Sequence, residues 1–526
     1  MTSDHSSPGG AATLHEPGAL SAALVRSAVH NSAAVLVVAA LELVMTPFYL
    51  HYLGAVQYGV LLVTVVSGGY MLFLEFGLSE SAIKHLAEFH AREQREGLEA
   101  LIGVALTTYG VIGVCVAAAM VAASRPLVGL FDIPLDMQPV AVFALRVGSL
   151  GFLVTMTMRV FDALPKALQR FDISNGILVG MAVVQAGVNA ALMASGRGLR
   201  EIVIANLLVA LAGTAANLLV CRCLVPGIRF RPRWQGATAK RLVSFGTTAA
   251  AGTLASNLAL QVLQVVIALT TPVANVAYFR TGYRLASLPS LASRMVGPVV
   301  MPAASRLDRL GQRLALQELH LRATRAILLG GLPLAVAVIV FARPLLSLWV
   351  GQDVAAHAAL TARLLAVGAM MSCLGNSFIS LAHGAGRPQI VARANLGLGA
   401  TVIVLCLPLV RLWGMPGAGA AWSLAHLAWV PMYFRPVLRA ITKGSGRRLL
   451  HEAVLRPVAL GAGLAGLEMG VLLLAGDSCR WLLLAGVPGL LYLAGGCIFA
   501  LDSRDRQALL AHLSRLGVSA ARREGG

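Results

Sequence analysis

Charge is scarce in this sequence: of 526 residues, only 12% are Asp, Glu, Lys or Arg, about half the share of an ordinary soluble domain. With 57% hydrophobic residues and a mean hydropathy of +0.77, the chain carries more apolar surface than a water-soluble fold can bury. Lipid is therefore its solvent. Aromatic residues are also few, at 6%. The seven cysteines (Cys115, Cys221, Cys223, Cys373, Cys406, Cys479 and Cys497) include no C-x-x-C pair, so their spacing predicts neither a metal site nor a disulfide framework. The first basic residue is Arg26, preceded by Asp4 and Glu16, which lacks the basic start and cleavage site of a secretory signal. Gly397-x-Gly399 and Gly417-x-Gly419 follow no strand and precede no Lys-Ser or Lys-Thr. They do not read as nucleotide loops, and no ATPase signature, enzyme chemistry or cofactor is expected.

Apolar runs near 20 residues, long enough to cross roughly 30 Å of hydrocarbon, recur from Ala28 to Leu501. They do not alternate, so they predict helices rather than barrel strands. Spans are expected near 28–50, 58–82, 98–123, 139–163, 172–194, 200–223, 244–270, 284–305, 326–349, 358–383, 390–411, 417–438, 456–475 and 480–501. With both termini on one side, the loops and tails of that side hold 30 Lys and Arg and the opposite loops hold 8. That bias predicts an inner-membrane protein with both ends cytoplasmic, and it assigns the net charge of +19 to short loops rather than to nucleic-acid binding.

The basic stretch Val225–Leu242 divides the chain. The expected organisation is a disordered cytoplasmic tail (1–25), six helices (26–224), a cytoplasmic linker (225–242), six more helices (243–440), a final helix pair (441–501) and a cytoplasmic tail (502–526). The halves echo each other. Pro47 and Pro272 are followed at the same distance by Tyr58 and Tyr283, and Ala-Leu-Gln-Arg-Phe-Asp-Ile at 167–173 is matched by Gly-Ala-Gly-Arg-Pro-Gln-Ile at 384–390. The fold class expected is all-α integral membrane: about fourteen helices in two six-helix bundles related by a pseudo-twofold along the membrane normal, plus a C-terminal pair.

The run Pro47-Phe-Tyr-Leu-His-Tyr-Leu-Gly54, then Tyr58-Gly59, then Glu75-Phe-Gly-Leu-Ser79 resembles the opening of bacterial polysaccharide and O-antigen flippases. These belong to the multidrug/oligosaccharidyl-lipid/polysaccharide exporter superfamily. Gly386-Arg-Pro388 and Gly417-Ala-Gly-Ala-Ala-Trp422 are similar to its tenth-to-eleventh-helix turn and its twelfth helix. The resemblance runs from about residue 26 to 440. It implies an alternating-access transporter that carries a lipid-linked oligosaccharide outward, with membrane lipids and glycan-assembly enzymes as its other partners.

Charges inside spans are the candidate site, since each costs about 2.5–3.5 kcal/mol at a helix centre. Arg280, Arg284 and Arg294 fall within about 80° of one another on an ideal eighth helix, spread over about 21 Å. Pro289 and Pro298 are expected to bend it. Three guanidiniums on one face suit phosphate, which their planar forks bind bidentately; the competing reading is snorkelling of Arg280 and Arg284 to head groups. On the fourth helix, Arg146 and Arg159 are further candidates, and Asp162 lies three residues from Arg159, within pairing reach. Glu42 and Glu75 either pair with an arginine of the other half or take up a coupling ion. Glu468 is expected to face lipid as a neutral acid. His383 and His426 read as core residues.

Three other functions compete. A peptidoglycan-precursor flippase handles the same prenyl diphosphate. A cation or drug exporter of the superfamily wants acidic, aromatic pockets, against the basic lean of the deep charges. A membrane glycan polymerase or ligase wants a sizeable outer loop, whereas the longest expected here, Ser124–Gln138, offers only Asp132 and Asp136 as acids.

Overall fold

The computed structural model describes residues 17–71, 78–236, 238–240, 259–442, 446–475 and 480–496. The described residues are helical almost throughout, as a backbone in hydrocarbon must be to satisfy its own hydrogen bonds. In chain order the helices are α1 (Pro17–Met71), α2 (Leu78–Ala91), α3 (Arg95–Leu130), α4 (Gln138–Ala167), α5 (Phe171–Ala194), α6 (Leu199–Leu224) and α7 (Ala259–Thr270). They continue with α8 (Ala274–Ala286), α9 (Ser290–Arg309), α10 (Arg313–Val350), α11 (Gln352–Gly384), α12 (Pro388–Trp413) and α13 (Met415–Val437). The short α14 (Gly446–Leu449) runs through a π-helical turn into α15 (Arg456–Ala475), and α16 (Arg480–Gly495) follows. Among the described residues, nine helices are long and apolar enough to cross a membrane. The protein is a multi-pass membrane protein.

Three boundaries differ from the sequence reading. α1 begins at Pro17, inside the segment expected to be a tail, and it continues past Gly54, whose φ of 72° marks a kink between two helical stretches rather than a loop. The start expected for the seventh span, near 244, lies outside the described residues. The expected eighth span is two helices: Pro289 supplies no N–H, and Leu288, Ser290, Leu291 and Ala292 each donate to the carbonyl three residues back, a tightened turn that joins α8 to α9. α10 begins at Arg313 rather than near 326, so Arg313, Arg322 and Arg325, counted as loop cations, lie on a helix. Arg325 is 2% exposed.

The two segments that echo each other in sequence, 167–173 and 384–390, end their helices in the same way. Gln169 (φ 58°) and Gly386 (φ 67°) occupy the same left-handed position. The next residue in each case, Arg170 or Arg387, donates its N–H to a carbonyl five residues back, Pro165 or Ala382, at 2.9 Å in both. This is the helix-ending motif in which one left-handed residue lets the chain satisfy terminal carbonyls before turning. Glu93-Gln94-Arg95 and Gly311-Gln312-Arg313 form a second such pair, closed by Gln94 onto Phe89 and Gln312 onto Leu307 at 3.0 Å each. Gly59, next to Tyr58, packs its backbone onto the Val273 carbonyl, next to Pro272; a Cβ at 59 would run into that oxygen.

Helices α2–α6 pack among themselves, as do α8–α13, and α1 touches members of both sets. One apolar core joins the two sets at the end of the molecule carrying the 131–137, 195–198, 271–273 and 351 turns, from Tyr58 and Leu145 to Phe279 and Ala362. At the other end there are two separate cores, one around Leu86, Ile102 and Leu164, the other around Leu328, Phe378 and Leu438. Among the described residues a shared core thus fastens the two sets at one end, and none joins them at the other, the parted end. The basic linker is held against α3 rather than left loose. Arg233 donates to the Gly103 carbonyl at 3.1 Å, Thr107 donates to the Arg233 carbonyl at 2.9 Å, and the Arg229 N–H reaches Glu99 Oε1 at 3.1 Å.

Candidate functional site

The break at Ser287–Pro289 does not scatter the three arginines. Arg280 and Arg284 on α8 and Arg294 on α9 all line one cavity of about 540 Å³, walled by α1, α8 and α9, with Leu178 of α5 and Leu260 of α7 at its edges. Glu42 is the one acidic residue among those lining it. The stripe drawn on a straight helix is therefore corrected in its geometry, because the turn separates Arg294 from the other two, and all three residues line the one cavity.

Arg284 is the best anchored of the three. Its Nη1 donates to the Glu42 backbone carbonyl at 2.7 Å and to Thr46 Oγ1, while its Nε lies 3.7 Å from Glu42 Oε2. The carboxylate contact is too long for a hydrogen bond, and the Glu42 side chain is 48% exposed, so the carboxylate screens the guanidinium without capturing it. Thr46 in turn donates to the Glu42 carbonyl at 2.7 Å, which fixes the acceptor pair. Arg280 has its Cζ 5.9 Å from the Tyr283 ring centroid, and its buried Nε has no hydrogen-bond partner. Arg294 is exposed to the cavity.

Beside this set, Tyr49 and Tyr58 stack with ring centroids 5.2 Å apart, and Asn189 on α5 donates to the Tyr49 hydroxyl at 2.8 Å. Trp349 on α10 donates its indole N–H to the Leu43 carbonyl at 3.1 Å. These contacts, with the Glu42–Arg284 link, tie α1 to its neighbours at the fastened end.

Other expected site residues lie elsewhere. Arg146 donates through Nε to Ser124 Oγ on α3 at 3.0 Å and lines neither the arginine cavity nor the two cavities that adjoin it. It is exposed on α4, beside α3. Asp162 is held by other groups: Lys166 Nζ reaches one carboxylate oxygen at 2.5 Å and Ser174 donates to the other at 2.6 Å. Arg159 is half-buried on α4, outside the three cavities. Glu75 lies outside the described residues. Glu468 is buried at 4% exposure on α15, not turned to lipid, with Oε2 unpartnered. His426 is buried on α13 with Nδ1 2.9 Å from the Trp422 carbonyl, while His383 is exposed on α11.

Sequence reasoning missed the polar side chains that extend the site. Arg280 also borders a cavity of about 460 Å³ among α1, α4, α5, α6 and α7, and Arg294 borders one of about 260 Å³ among α9, α11, α12 and α13. Their amides and hydroxyls carry no charge, so the insertion cost that flagged the arginines gave no signal. A chain of cavities with three cations in its middle section can hold a polyanion at the centre and uncharged groups at either side.

A family profile described as "Polysaccharide biosynthesis protein" matches residues 53–357, more than half of the chain. Among solved structures, the chain is similar to the lipid II flippase MurJ in an inward closed conformation, with a TM-score of 0.73 at 14% identity over 89% of this chain and 98% of that one. It is similar also to a multidrug resistance MATE family transporter of the MOP superfamily in an inward-facing conformation, with a TM-score of 0.62 at 16% identity over 78% of this chain and 96% of that one. The MATE multidrug transporter DinF-BH gives a TM-score of 0.62 at 16% identity, over 82% of this chain and 98% of that one. At these identities the likeness is one of fold. No curated relative matches the sequence.

Proposed function

From the premise that the chain belongs to the polysaccharide biosynthesis protein family and has the fold of MOP-superfamily flippases and transporters, we propose that it flips a polyprenyl-diphosphate-linked oligosaccharide from the cytoplasmic to the outer leaflet of an inner membrane. The substrate is an O-antigen or exopolysaccharide repeat unit. The observation that carries this reading is the convergence of Arg280, Arg284 and Arg294 on one cavity. Arginine stays charged there and presents a fork of donors that matches two phosphate oxygens at once.

In this reading the chain crosses the membrane fourteen times. α1 supplies two spans about Gly54, the second completed by α2; α3 to α6 supply four; α7 ends the seventh; α8 with α9 makes a broken eighth. Helices α10 to α13 supply four more, and α15 and α16 form the last pair. The paired turns at 169 and 386 and at 93 and 311 support two copies of six helices. The parted end is cytoplasmic, where the basic loops lie, and both termini are there too.

A diphosphate with several sugars cannot cross hydrocarbon unaided, whereas its prenyl tail stays in it. The arginines replace the water around the phosphates, and the tail remains in lipid between the two sets of helices. Closing the parted end and opening the fastened one delivers the head group outward. With the inside negative, moving two negative charges outward is downhill by about 4.6 kcal/mol per 100 mV, so the membrane potential already favours the direction.

Depletion of the protein tests the reading. The lipid-linked oligosaccharide is expected to accumulate on the cytoplasmic face while its synthesis continues. Unaltered delivery of glycan to the outer leaflet would contradict it. A cation exporter fits less well, since Glu42 is the one acidic side chain among the described residues lining the cavity. A peptidoglycan-precursor flippase shares the diphosphate chemistry, and the sugar that accumulates distinguishes it.

A further inference from the structure

The cavity of about 460 Å³ beside Arg280 has a chemistry that a diphosphate does not use. Among the described residues its polar lining is Thr64, Thr155, Gln185, Asn206, Gln261 and Gln264; none of the described residues lining it is a carboxylate, and Arg280, at the border with the arginine cavity, is the one cation among them. Gln185 donates to Asn206 Oδ1 at 3.1 Å, which sets two amides side by side. Gln264 is 2% exposed. Its Nε2 donates to the Leu260 carbonyl at 3.4 Å, and its Oε1 has no hydrogen-bond partner. An acceptor buried without a partner costs about 1–3 kcal/mol, a cost that is relieved when a ligand donates to it. On the α4 wall stand Gly148 and Gly151; a Cβ at either would meet nothing within 4 Å, so the space is open to a ring.

We infer that this cavity is the saccharide subsite, and that it takes an uncharged sugar bearing hydroxyl or acetamido groups, next to the diphosphate held at the arginines. The inference rests on the flippase reading above. Amide side chains donate and accept at once, as sugar hydroxyls do, so each can pair in either sense. A sugar carboxylate entering here would be stripped of water with Arg280 as its one cation, and Arg280 also faces the diphosphate. The opposite cavity, where Asn376 donates to Ser293 at 3.1 Å beside Arg294, is the alternative place for a sugar. It holds about 260 Å³.

The test is a binding assay on the full chain in nanodiscs with three ligands: bare undecaprenyl diphosphate, the same lipid bearing a neutral N-acetylhexosamine disaccharide, and the same lipid bearing a hexuronic acid. The neutral glycolipid is expected to bind more tightly than the bare lipid, and the uronic acid to add nothing. Gln264→Leu and Gly151→Trp are expected to weaken binding of the neutral glycolipid about tenfold, the effect of about 1.4 kcal/mol, and to leave the bare lipid unchanged. Asn376→Leu is expected to leave the sugar preference intact. Unchanged glycolipid affinity in Gln264→Leu overturns the assignment, as does equal loss for both lipids or loss of preference in Asn376→Leu alone. Wild-type protein that binds none of the three overturns the flippase reading itself, a different result from binding without sugar preference.

Discussion

Arg284 on α8 donates its guanidinium to the backbone carbonyl of Glu42 on α1 at 2.7 Å, while the Glu42 carboxylate stands 3.7 Å from Nε. The main-chain oxygen and the Thr46 hydroxyl therefore hold the cation in place, with the counter-charge only a loose ion pair beside them. An arginine neutralised by a close carboxylate would have to break an ion pair before binding phosphate, whereas this one keeps its charge available. The contact also ties the first half of the chain to the second at the fastened end.

Glu42→Gln removes the loose ion pair and keeps the carbonyl that anchors Arg284. Because the carboxylate is half exposed, thermal stability in detergent is expected to change by less than about 0.5 kcal/mol. Affinity for undecaprenyl diphosphate is expected to rise about twofold as one repulsive charge leaves the cavity. Titration of ligand against the purified variant checks both the sign and the size.

Arg146 and Arg294 are both arginines at membrane depth, and their environments separate them. Arg146→Ala loses one hydrogen bond to Ser124, expected to cost about 1 kcal/mol of stability, with glycan export within about twofold of wild type. Export measured in cells, normalised to the amount of inserted protein, makes the comparison. A loss as deep as that expected for Arg294→Ala would return Arg146 to the site.

The small residues of α13 and α15 give a packing contrast. A Cβ at Gly417 would run into the Leu409 carbonyl, a backbone atom that cannot swing aside, whereas at Gly463 it would meet nothing within 4 Å. Gly417→Ala is expected to cost about 1–3 kcal/mol. Gly463→Ala is expected to be neutral or stabilising by up to about 1 kcal/mol, since alanine loses less entropy in a helix. Thermal unfolding midpoints of the two variants are the measurement.

The proposed alternating access requires the fastened end to open. In a background free of native cysteine, Leu43→Cys and Trp349→Cys replace the residues whose contact joins α1 to α10. A short bis-maleimide linking them is expected to stop transport completely, while either single cysteine treated alike retains it. Transport that survives the double cross-link would exclude opening at this end.

The sequence anticipates what lipid imposes and misses what packing decides. α5, α6 and α12 fall within two residues of their expected limits because Arg, Gly and Pro punctuate apolar runs there. α10 starts well before its expected limit, since Arg313, Arg322 and Arg325 read as loop; the structure buries Arg325 among packed helices, and hydropathy does not register such packing. Arg280, Arg284 and Arg294 are legible because a charge in hydrocarbon demands a reason. Arg146 meets the same criterion and lies outside the cavity, because the face a side chain takes depends on the neighbouring helix, here the Ser124 side of α3. Thr46 and Gln264 escape the sequence reading, since polar side chains without charge are common in membrane helices.

The most direct measurement is translocation of a fluorescent undecaprenyl-diphosphate-linked oligosaccharide by the purified protein in sealed proteoliposomes, comparing wild type with Arg284→Ala and Arg294→Ala. Wild type is expected to move the lipid across the bilayer. Each variant is expected to do so at least about tenfold more slowly, the loss of one charged hydrogen-bonding group, with insertion unchanged in both and the unfolding midpoint unchanged in Arg294→Ala, which breaks no contact between α1 and α8. Translocation at the wild-type rate by both variants would contradict the claim that these arginines carry the diphosphate.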